Sequence, residues 1–477
     1  MNKILFATSE VHPLIKTGGL ADVSGSLPKA LAELGEDIRI ILPNYQAIKT
    51  NEAIYYKSTL RVNEYEVNIL ETRLPGTDVI VWLVDYPKFF KLSGNPYHDA
   101  AGNPWANSAE RFALFCQAAV EIAMNRSYLD WKPDIVHCND WQSGLVPALL
   151  SLEQDRPATL FTIHNMAYQG LFPKSVNFSL NLPTQLWDSG GTEFHGMLSF
   201  LKSGLTYADR INTVSPTYAM EIQTAKFGCG LEGLLSFRKD VLSGIINGID
   251  TDHWNPEIDP SITANFNHSK LNKKLLNKAA LQTKLSLPVS NKMPMFGLIS
   301  RLVEQKGIDL VLDCLPEILA LPVQLVVLGS GNKEFEQQLL DYAKAHPDKV
   351  AVKIGYDEDL AHLIEAGADI FLMPSRYEPC GLNQMYSQLY GTIPLVSKVG
   401  GLADTVVDAL PETLSNNTAT GIVFDGVLSG TLIEAIKRAL MLYSQSKTWK
   451  QMQVNGMQKD FSWEHSAEQY RALYEQL

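Results

Sequence analysis

Glu378 is the first residue in this chain whose type and setting suggest chemistry. It lies in Pro374-Ser-Arg-Tyr-Glu-Pro-Cys-Gly-Leu-Asn-Gln-Met-Tyr386. The apolar run Ala368–Met373 before it reads as a buried strand, and a helical pattern follows from about Leu382 to Tyr390. The carboxylate is therefore expected off the carboxyl end of a strand, where open α/β sheets bind ligands. The free N–H groups of the next helix open beside it, and such groups attract phosphate. A carboxylate at a phosphate site is unfavourable unless it has another task. Taken alone, a solvated loop acid is the competing reading.

Cations are expected close by. Ser300-Arg-Leu-Val-Glu-Gln-Lys-Gly307 follows the predicted strand Met295–Ile299 and precedes a helix. Arg301 offers a planar fork and Lys306 a point charge, a pair suited to a diphosphate. Two glycine turns add donors. Lys16-Thr-Gly-Gly-Leu-Ala-Asp22 and Lys398-Val-Gly-Gly-Leu-Ala-Asp404 share Lys-x-Gly-Gly-Leu-Ala-Asp, and each follows a strand and opens a helix. Paired glycines let a backbone approach a ligand closely, so both turns read as anion-friendly, one per domain. Leu328-Gly-Ser-Gly-Asn-Lys-Glu334 lacks the third glycine of a dinucleotide fingerprint and reads as a tight turn.

A second group suits a sugar. Val136-His-Cys-Asn-Asp-Trp141 and Thr162-Ile-His-Asn165 each end a predicted strand, which puts Asp140, Trp141, His164 and Asn165 on the ligand side of a sheet. His137 reads as structural. Neither cysteines nor carboxylates have metal-ligand spacing around these histidines, and there is no HExxH, so no protein-bound metal is expected.

Positioning these residues takes two domains. A chain of 477 residues is too long for one core. An opening strand (Lys3–Thr8), helix (Leu20–Leu34) and strand (Asp37–Leu42) predict a parallel sheet. Val79–Val84, Ile135–His137, Thr159–Ile163 and Ile211–Val214 continue it. Glycines and an asparagine break the pattern at Ser243–Asp250, so the junction is placed near Ser243. The first domain is then 1–243 and the second 244–459. The second repeats the βα pattern with strands at Met295–Ile299, Gln324–Leu328, Val350–Ile354, Ile370–Met373, Pro394–Ser397 and Gly421–Phe424.

A formal net charge of −12 argues against nucleic acid or an anionic membrane as the main partner. No apolar run approaches the length of a membrane helix. The five cysteines are odd in number and scattered, and the opening apolar run is too short for a secretion leader. These features suggest reduced thiols and a cytoplasmic setting.

As an ordered set, these motifs resemble the bacterial glycogen synthases and plant starch synthases, family 5 glycosyltransferases, over nearly the whole chain. The resemblance rests on Lys16-Thr-Gly-Gly-Leu, His137-Cys-Asn-Asp-Trp-Gln, Ile163-His-Asn, Ser300-Arg-Leu with Lys306-Gly, Pro374-Ser-Arg-Tyr-Glu-Pro-Cys-Gly-Leu and Gly400-Gly-Leu-Ala-Asp-Thr. It implies a GT-B fold, with two Rossmann-like α/β domains whose parallel sheets face across a deep cleft. It also implies that the last helix, within 460–477, crosses back onto the first domain. The implied reaction moves glucose from ADP-glucose to the non-reducing end of an α-1,4-glucan such as glycogen, with retention.

Carried over by position, the resemblance puts Lys16, Gly18 and Gly19 at the donor phosphates and Arg301 and Lys306 at the diphosphate. Glu378 falls at the donor glucose and Tyr356 near adenine. Cys380, Gly381, Leu382, Asn383, Gly400, Gly401 and Thr405 fall around the donor. His164 touches the reacting sugar, while Asp140, Trp141 and Asn165 line the acceptor side. Many retaining relatives outside this family carry a second glutamate eight positions after the first; Tyr386 stands there, which puts a mechanism needing both acids in doubt. Preorganised cations and donors would stabilise the leaving diphosphate without a metal or other cofactor. A hinge between the domains would exclude water. Two rivals stand beside this reading, a GT-B enzyme using another nucleotide sugar such as UDP-glucose and a glucan-binding protein without turnover. Nothing marks the pyridoxal-bearing lysine a phosphorylase would need.

Overall fold

The computed structural model describes all 477 residues, in two compact units. Unit 1 is Met1–Gly248 with Trp463–Leu477, and unit 2 is Ile249–Ser462. Ser243 lies inside β12, so the chain leaves unit 1 after that residue, at Gly248. No helix is long and apolar enough to cross a membrane.

Unit 1 is built on β1 (Lys3–Ala7), β2 (Asp37–Pro43), β3 (Tyr55–Val62), β4 (Tyr65–Arg73), β5 (Ile80–Asp85), β6 (Ile135–Asn139) and β7 (Ala158–Ile163). A small antiparallel sheet of β8 (Leu171–Pro173), β9 (Glu193–Phe194) and β10 (Met197–Ser199) follows, then β11 (Arg210–Thr213) and β12 (Leu242–Gly244). The main sheet runs β12-β11-β7-β6-β1-β2-β5-β4-β3. It is parallel from β12 to β5 and antiparallel at the β5-β4-β3 edge. Residues of β1 and β6 are almost wholly buried, as strands covered by helices on both faces must be. The hairpin β3–β4 alternates instead, with Leu60, Val62, Val67 and Ile69 turned inward.

The final helix Trp463–Tyr474 packs into the same core through Trp463, Ala467, Tyr470 and Tyr474. Its hydroxyls are satisfied there. Asn212 Nδ2 donates to the Tyr470 hydroxyl at 3.0 Å, and the Tyr474 hydroxyl meets His137 Nδ1 at 2.8 Å. His137 Nε2 bonds Thr162 Oγ1 at 2.8 Å, so both ring nitrogens of this fully buried histidine are engaged.

Unit 2 contains β13 (Met295–Ile299), β14 (Gln324–Gly329), β15 (Val350–Ile354), β16 (Ile370–Met373), β17 (Ile393–Ser397) and β18 (Ile422–Phe424). They form one all-parallel sheet, β15-β14-β13-β16-β17-β18. Counted from its own first strand the order is 3-2-1-4-5-6, the doubly wound dinucleotide-binding arrangement. Strand order reverses between β13 and β16 here, and between β1 and β6 in unit 1. Loops leaving the carboxyl ends of those strands splay to opposite faces and leave a crevice, the usual ligand position.

Candidate functional site

Each unit carries its candidate residues on loops at its switch-point strands and the strands next to them. In unit 2, β13 runs into Ser300–Lys306 and the neighbouring β16 into Pro374–Gly381. The two loops are fastened together. Arg376 N donates to Gln305 O at 2.8 Å, and Asn383 Nδ2 donates to Ile299 O at the end of β13 at 2.8 Å. Gly307 makes the turn into the helix Ile308–Ala320 with φ +70°; a Cβ there would lie 2.1 Å from Pro374 O, so only glycine fits.

The outcome is a compact charged group. Lys306 Nζ forms an ion pair with Glu378 Oε2, and Ser375 Oγ donates to the same oxygen at 3.1 Å. Glu378 is 5% exposed, while Arg301 is exposed and holds Gln305 Oε1 at 3.1 Å through Nη2. Arg376 pairs with Asp309. Tyr356, 80% exposed, follows Gly355 at the end of β15. Glu378 is thus a buried, paired acid and not a solvated loop acid.

Several expected donor residues have other partners. Gly401 N donates to Glu378 O and Pro379 O at 3.1 Å, and a Cβ on Gly400 or Gly401 would strike the backbone of Glu378 or Cys380. Those two glycines allow close packing of the turn on the neighbouring loop that bears Glu378. Thr405 Oγ1 donates to Gly401 O at 2.6 Å and accepts from Gln384 Nε2 at 3.1 Å, inside the unit. Cys380 is buried. Gly381 has φ +70° and Leu382 is half-buried beside it. Tyr386 stacks face to face on Trp254 at 4.0 Å, so the position that carries an acid elsewhere is a packing position here.

Unit 1 presents a different chemistry. Lys16 pairs with Asp22 at 2.7 Å and both stay partly exposed. A Cβ on Gly18 or Gly19 would meet nothing within 4 Å, so this turn is open. The residue that organises it, Glu10, was not singled out in the sequence. Glu10 is 3% exposed; its carboxylate accepts from Thr17 N and Gly18 N and from the Tyr97 hydroxyl. Its signal was its place in the first loop after β1. Burial, together with that carboxylate, raises the Tyr97 phenol well above its ordinary range and keeps it a donor.

Across the switch point, Asp140 has φ 56° and ψ −179°, a region that a side chain strains. Its Oδ1 accepts from His164 N at 2.7 Å, so the carboxylate braces the His164–Asn165 backbone. Burial raises Asp140 to about 7, against the amide donors. His164 Nε2 meets Asn139 Oδ1 at 3.0 Å, and burial lowers the imidazole to about 3, so it is neutral. Asn165 Oδ1 accepts from Ala167 N at 2.9 Å. The Trp141 ring leans edge-on against Phe112 at 5.0 Å.

Trp141 also lines a groove of about 520 Å³ with Tyr168, Gln169, Gly170, Leu171 and Cys229. Gly170 is required there, because a Cβ would lie 2.3 Å from the Trp141 ring. A larger cavity of about 1200 Å³ is lined by Lys3, Asp134, Ala158 and Arg210, at the amino ends of β1, β6, β7 and β11. That end of a parallel sheet offers no switch-point crevice, and none of the candidate residues reaches it.

The comparisons with known proteins agree on the family. The starch synthase catalytic domain matches residues 3–237, and the group 1 glycosyl transferases match residues 283–456. A glycogen synthase 1 of Methylococcus capsulatus is 56% identical over 473 residues, covering 99% of this chain and 96% of that one. A glycogen synthase of Cellvibrio japonicus is 54% identical over the full length of both. Among solved structures, the catalytic domain of starch synthase IV from Arabidopsis thaliana, bound to ADP and acarbose, superposes with TM-score 0.89 at 32% identity, covering 100% and 99% of the two chains. A sucrose-phosphate synthase from Thermosynechococcus elongatus shares the fold alone, at TM-score 0.61 and 17% identity. With two parallel-sheet α/β units of the GT-B kind and relatives of this identity along its whole length, the chain belongs to the glycogen and starch synthase family of glycosyltransferases.

Proposed function

We propose that this glycosyltransferase moves glucose from ADP-glucose to the non-reducing end of an α-1,4-glucan, with retention, in a reducing cytoplasmic setting. The observation that carries the reading is the meeting of Lys306 and Glu378 at the switch point of unit 2. One loop brings a cation for a diphosphate and its neighbour a carboxylate for a sugar, from two strands that the topology makes adjacent. The five free cysteines support the setting. The ADP bound to the Arabidopsis relative supports adenine as the base.

In this reading Arg301 and Lys306 of unit 2 neutralise charge that builds on the leaving diphosphate. In unit 1, Lys16 and the open Gly18-Gly19 turn are donors suited to phosphate. Tyr356 lies along the base. Lys306 exchanges Glu378 for phosphate when donor binds, which frees the carboxylate to face the positive charge that develops on the sugar. His164, neutral, holds a sugar hydroxyl through its ring or its backbone carbonyl; Asp140 and Asn165 set its position. The groove by Trp141 and Tyr168 takes the glucan.

Retention then follows from front-face attack, in which the leaving phosphate steers the acceptor. A covalent route needs a nucleophile beneath the anomeric carbon. Glu378 lies beside the phosphate-binding loop of unit 2 and Asp140 Oδ1 accepts from the His164 amide, so this reading casts neither as the nucleophile.

A donor panel with glycogen as acceptor tests the substrate: turnover with ADP-glucose well above that with UDP-glucose is expected, and the reverse preference overturns the donor assignment. Arg301→Ala should remove roughly 3–4 kcal/mol of transition-state stabilisation, read mainly in kcat. Normal kcat/KM in that variant removes the clamp. Glu378→Ala and Glu378→Gln should both be slow while still binding ADP. Mass spectrometry after trapping with a slow fluorinated donor checks the mechanism: a glucosyl adduct on Glu378 or Asp140 ends the front-face reading.

A further inference from the structure

We propose that unit 2 binds one divalent transition-metal cation, best satisfied by zinc, through His253, Glu358 and His362. The donor atoms of these three residues lie within 4.8 Å of one another. Two of them come from one turn of the helix Glu358–Gly367, at i and i+4, which puts both side chains on one face. The third comes from the loop near the start of unit 2, where Asp250 Oδ1 accepts from Asp252 N at 3.0 Å and His253 N at 3.2 Å and so shapes the turn. His253 Nε2 already stands 3.1 Å from Glu358 Oε1, close to the ~3.3 Å edge of a tetrahedron with metal–ligand bonds near 2.0–2.1 Å.

The observation that points to a ligand is His362. It is 1% exposed, and its Nε2 has no hydrogen-bond partner. Buried imidazole nitrogens are rarely left so, because an unsatisfied polar atom costs free energy. Its other nitrogen, Nδ1, lies 2.7 Å from Asp259 Oδ2, an oxygen that also accepts from the Tyr390 hydroxyl. A carboxylate there fixes the proton on Nδ1 and leaves Nε2 as a bare lone pair. That is the carboxylate–histidine pairing that supports metal-bound imidazoles. The ring cannot turn to another partner, since Trp254 stacks on it at 3.8 Å with planes 7° apart.

The charge balance also fits. A cation at a helix N-terminus is disfavoured by the helix dipole, but the first turn carries Glu358 and Asp359, with Asp357 as the N-cap. Two imidazoles and one carboxylate suit zinc, cobalt or nickel better than magnesium or calcium, which prefer all-oxygen sets. His253 and Glu358 are each 52% exposed at the side chain, so solvent cations have a route in. The three ligands leave one position for water. None of the three belongs to the transfer machinery proposed above. The cation acts as a staple between the loop that opens unit 2 and the helix after β15. The sequence hides this set because its three members combine helical spacing with a long-range contact.

The test uses the full chain, stripped with a chelator and titrated with cobalt(II). One equivalent should bind with the intense visible bands of a tetrahedral site, zinc should displace it, and the melting temperature should rise with zinc concentration. His253→Ala and Glu358→Gln, both at exposed positions, should each weaken binding by at least ~100-fold, a loss at or beyond the top of that for outer-shell partners. His268→Ala, at an exposed histidine elsewhere in the unit, should bind as the parent does. Absence of saturable binding, or equal binding by the His253→Ala/Glu358→Gln double variant, overturns the proposal.

Discussion

The turns at Lys16–Asp22 and Lys398–Asp404 differ in sequence only at Thr17 and Val399, yet their glycines have different causes. The first follows β1, the strand at the switch point of unit 1, after a long loop. Around Gly18 and Gly19 there is open space, and the buried carboxylate of Glu10 gathers the amides of Thr17 and Gly18. The second follows β17, one strand away from the switch point of unit 2. There Gly400 sits at φ +41° with room for no Cβ, 2.0 Å from Glu378 O, and Gly401 would place one 2.2 Å from Cys380 O. One turn has open space before it; the other is bare so that the loop bearing Glu378 can lie against it. A repeated string therefore records a repeated backbone need, close approach, without saying what approaches.

Substituting the glycines should separate the two turns most directly. Gly400→Ala and Gly401→Ala should destabilise unit 2 by roughly 3–5 kcal/mol, since the clash is with backbone that cannot swing aside. Gly18→Ala and Gly19→Ala should change stability by less than ~1 kcal/mol, Gly19→Ala in the stabilising direction at a helix start. Both should still lower kcat/KM for the donor. Urea unfolding beside steady-state kinetics reads the four variants, and a destabilised Gly18→Ala with a tolerated Gly400→Ala would reverse the assignment.

The lysines should divide the same way. Lys16→Ala should remove roughly 2–3 kcal/mol of transition-state stabilisation if the open turn meets phosphate. Lys398 is largely exposed and 3.9 Å from Asp425, so Lys398→Ala should change stability by no more than ~0.5 kcal/mol and leave turnover as it is. Equal kinetic losses in both variants would restore the symmetry of the two turns.

Acid should separate the units next. Burial lowers His137 and His164 in unit 1 from 6.5 to about 3, so below pH 6.5 the unfolded chain binds protons that the native unit refuses. Each histidine then costs up to ~1.4 kcal/mol per pH unit as the pH falls. Asp140 has the opposite sign, because its raised value favours the native unit as pH drops from about 7 toward 3.8. One histidine's worth of loss remains. Hydrogen exchange by mass spectrometry at pH 6.5 and about pH 5, corrected for intrinsic rates, should find unit 1 less protected at the lower pH. His137→Gln should flatten that dependence; unchanged protection in the parent chain would mean that these imidazoles are not held neutral.

Thiols give the smallest effect. A helix start beside Glu378 suggests a reactive thiol at Cys380, but Cys380 is buried and Cys229 is the exposed cysteine. Burial of part of the side chain, with Glu232 nearby, raises the Cys229 thiol and slows its alkylation without preventing it. Iodoacetamide should label Cys229 first and slow transfer no more than a few-fold. Because Cys229 lines the Trp141 groove, a malto-oligosaccharide should protect it and ADP should not. Protection by ADP alone would move the label to the donor side.

Much of the fold and part of the site are legible in the sequence. Apolar runs bounded by glycine and proline mark buried parallel strands, and the βα repeat sets which strand ends carry loops. Glu378, Arg301 and Lys306 follow from that, because residues just past β13 and β16 have few places to go. The hairpin β3–β4 was missed although Tyr55–Arg73 alternates, since a polar edge pair looks like a loop when parallel strands are being sought. The two glycine turns show the firmer limit. Local sequence determines that the chain can bend there with no side chain in the way. Whether the space fills with ligand or with the protein's own backbone depends on which strands become neighbours. The same holds for Glu10 beside Gly18, Asp140 beneath His164, and His253 beside His362. Each contact forms only when the chain folds, and the burial of these groups, which sets charge and protonation, exists only in the folded chain.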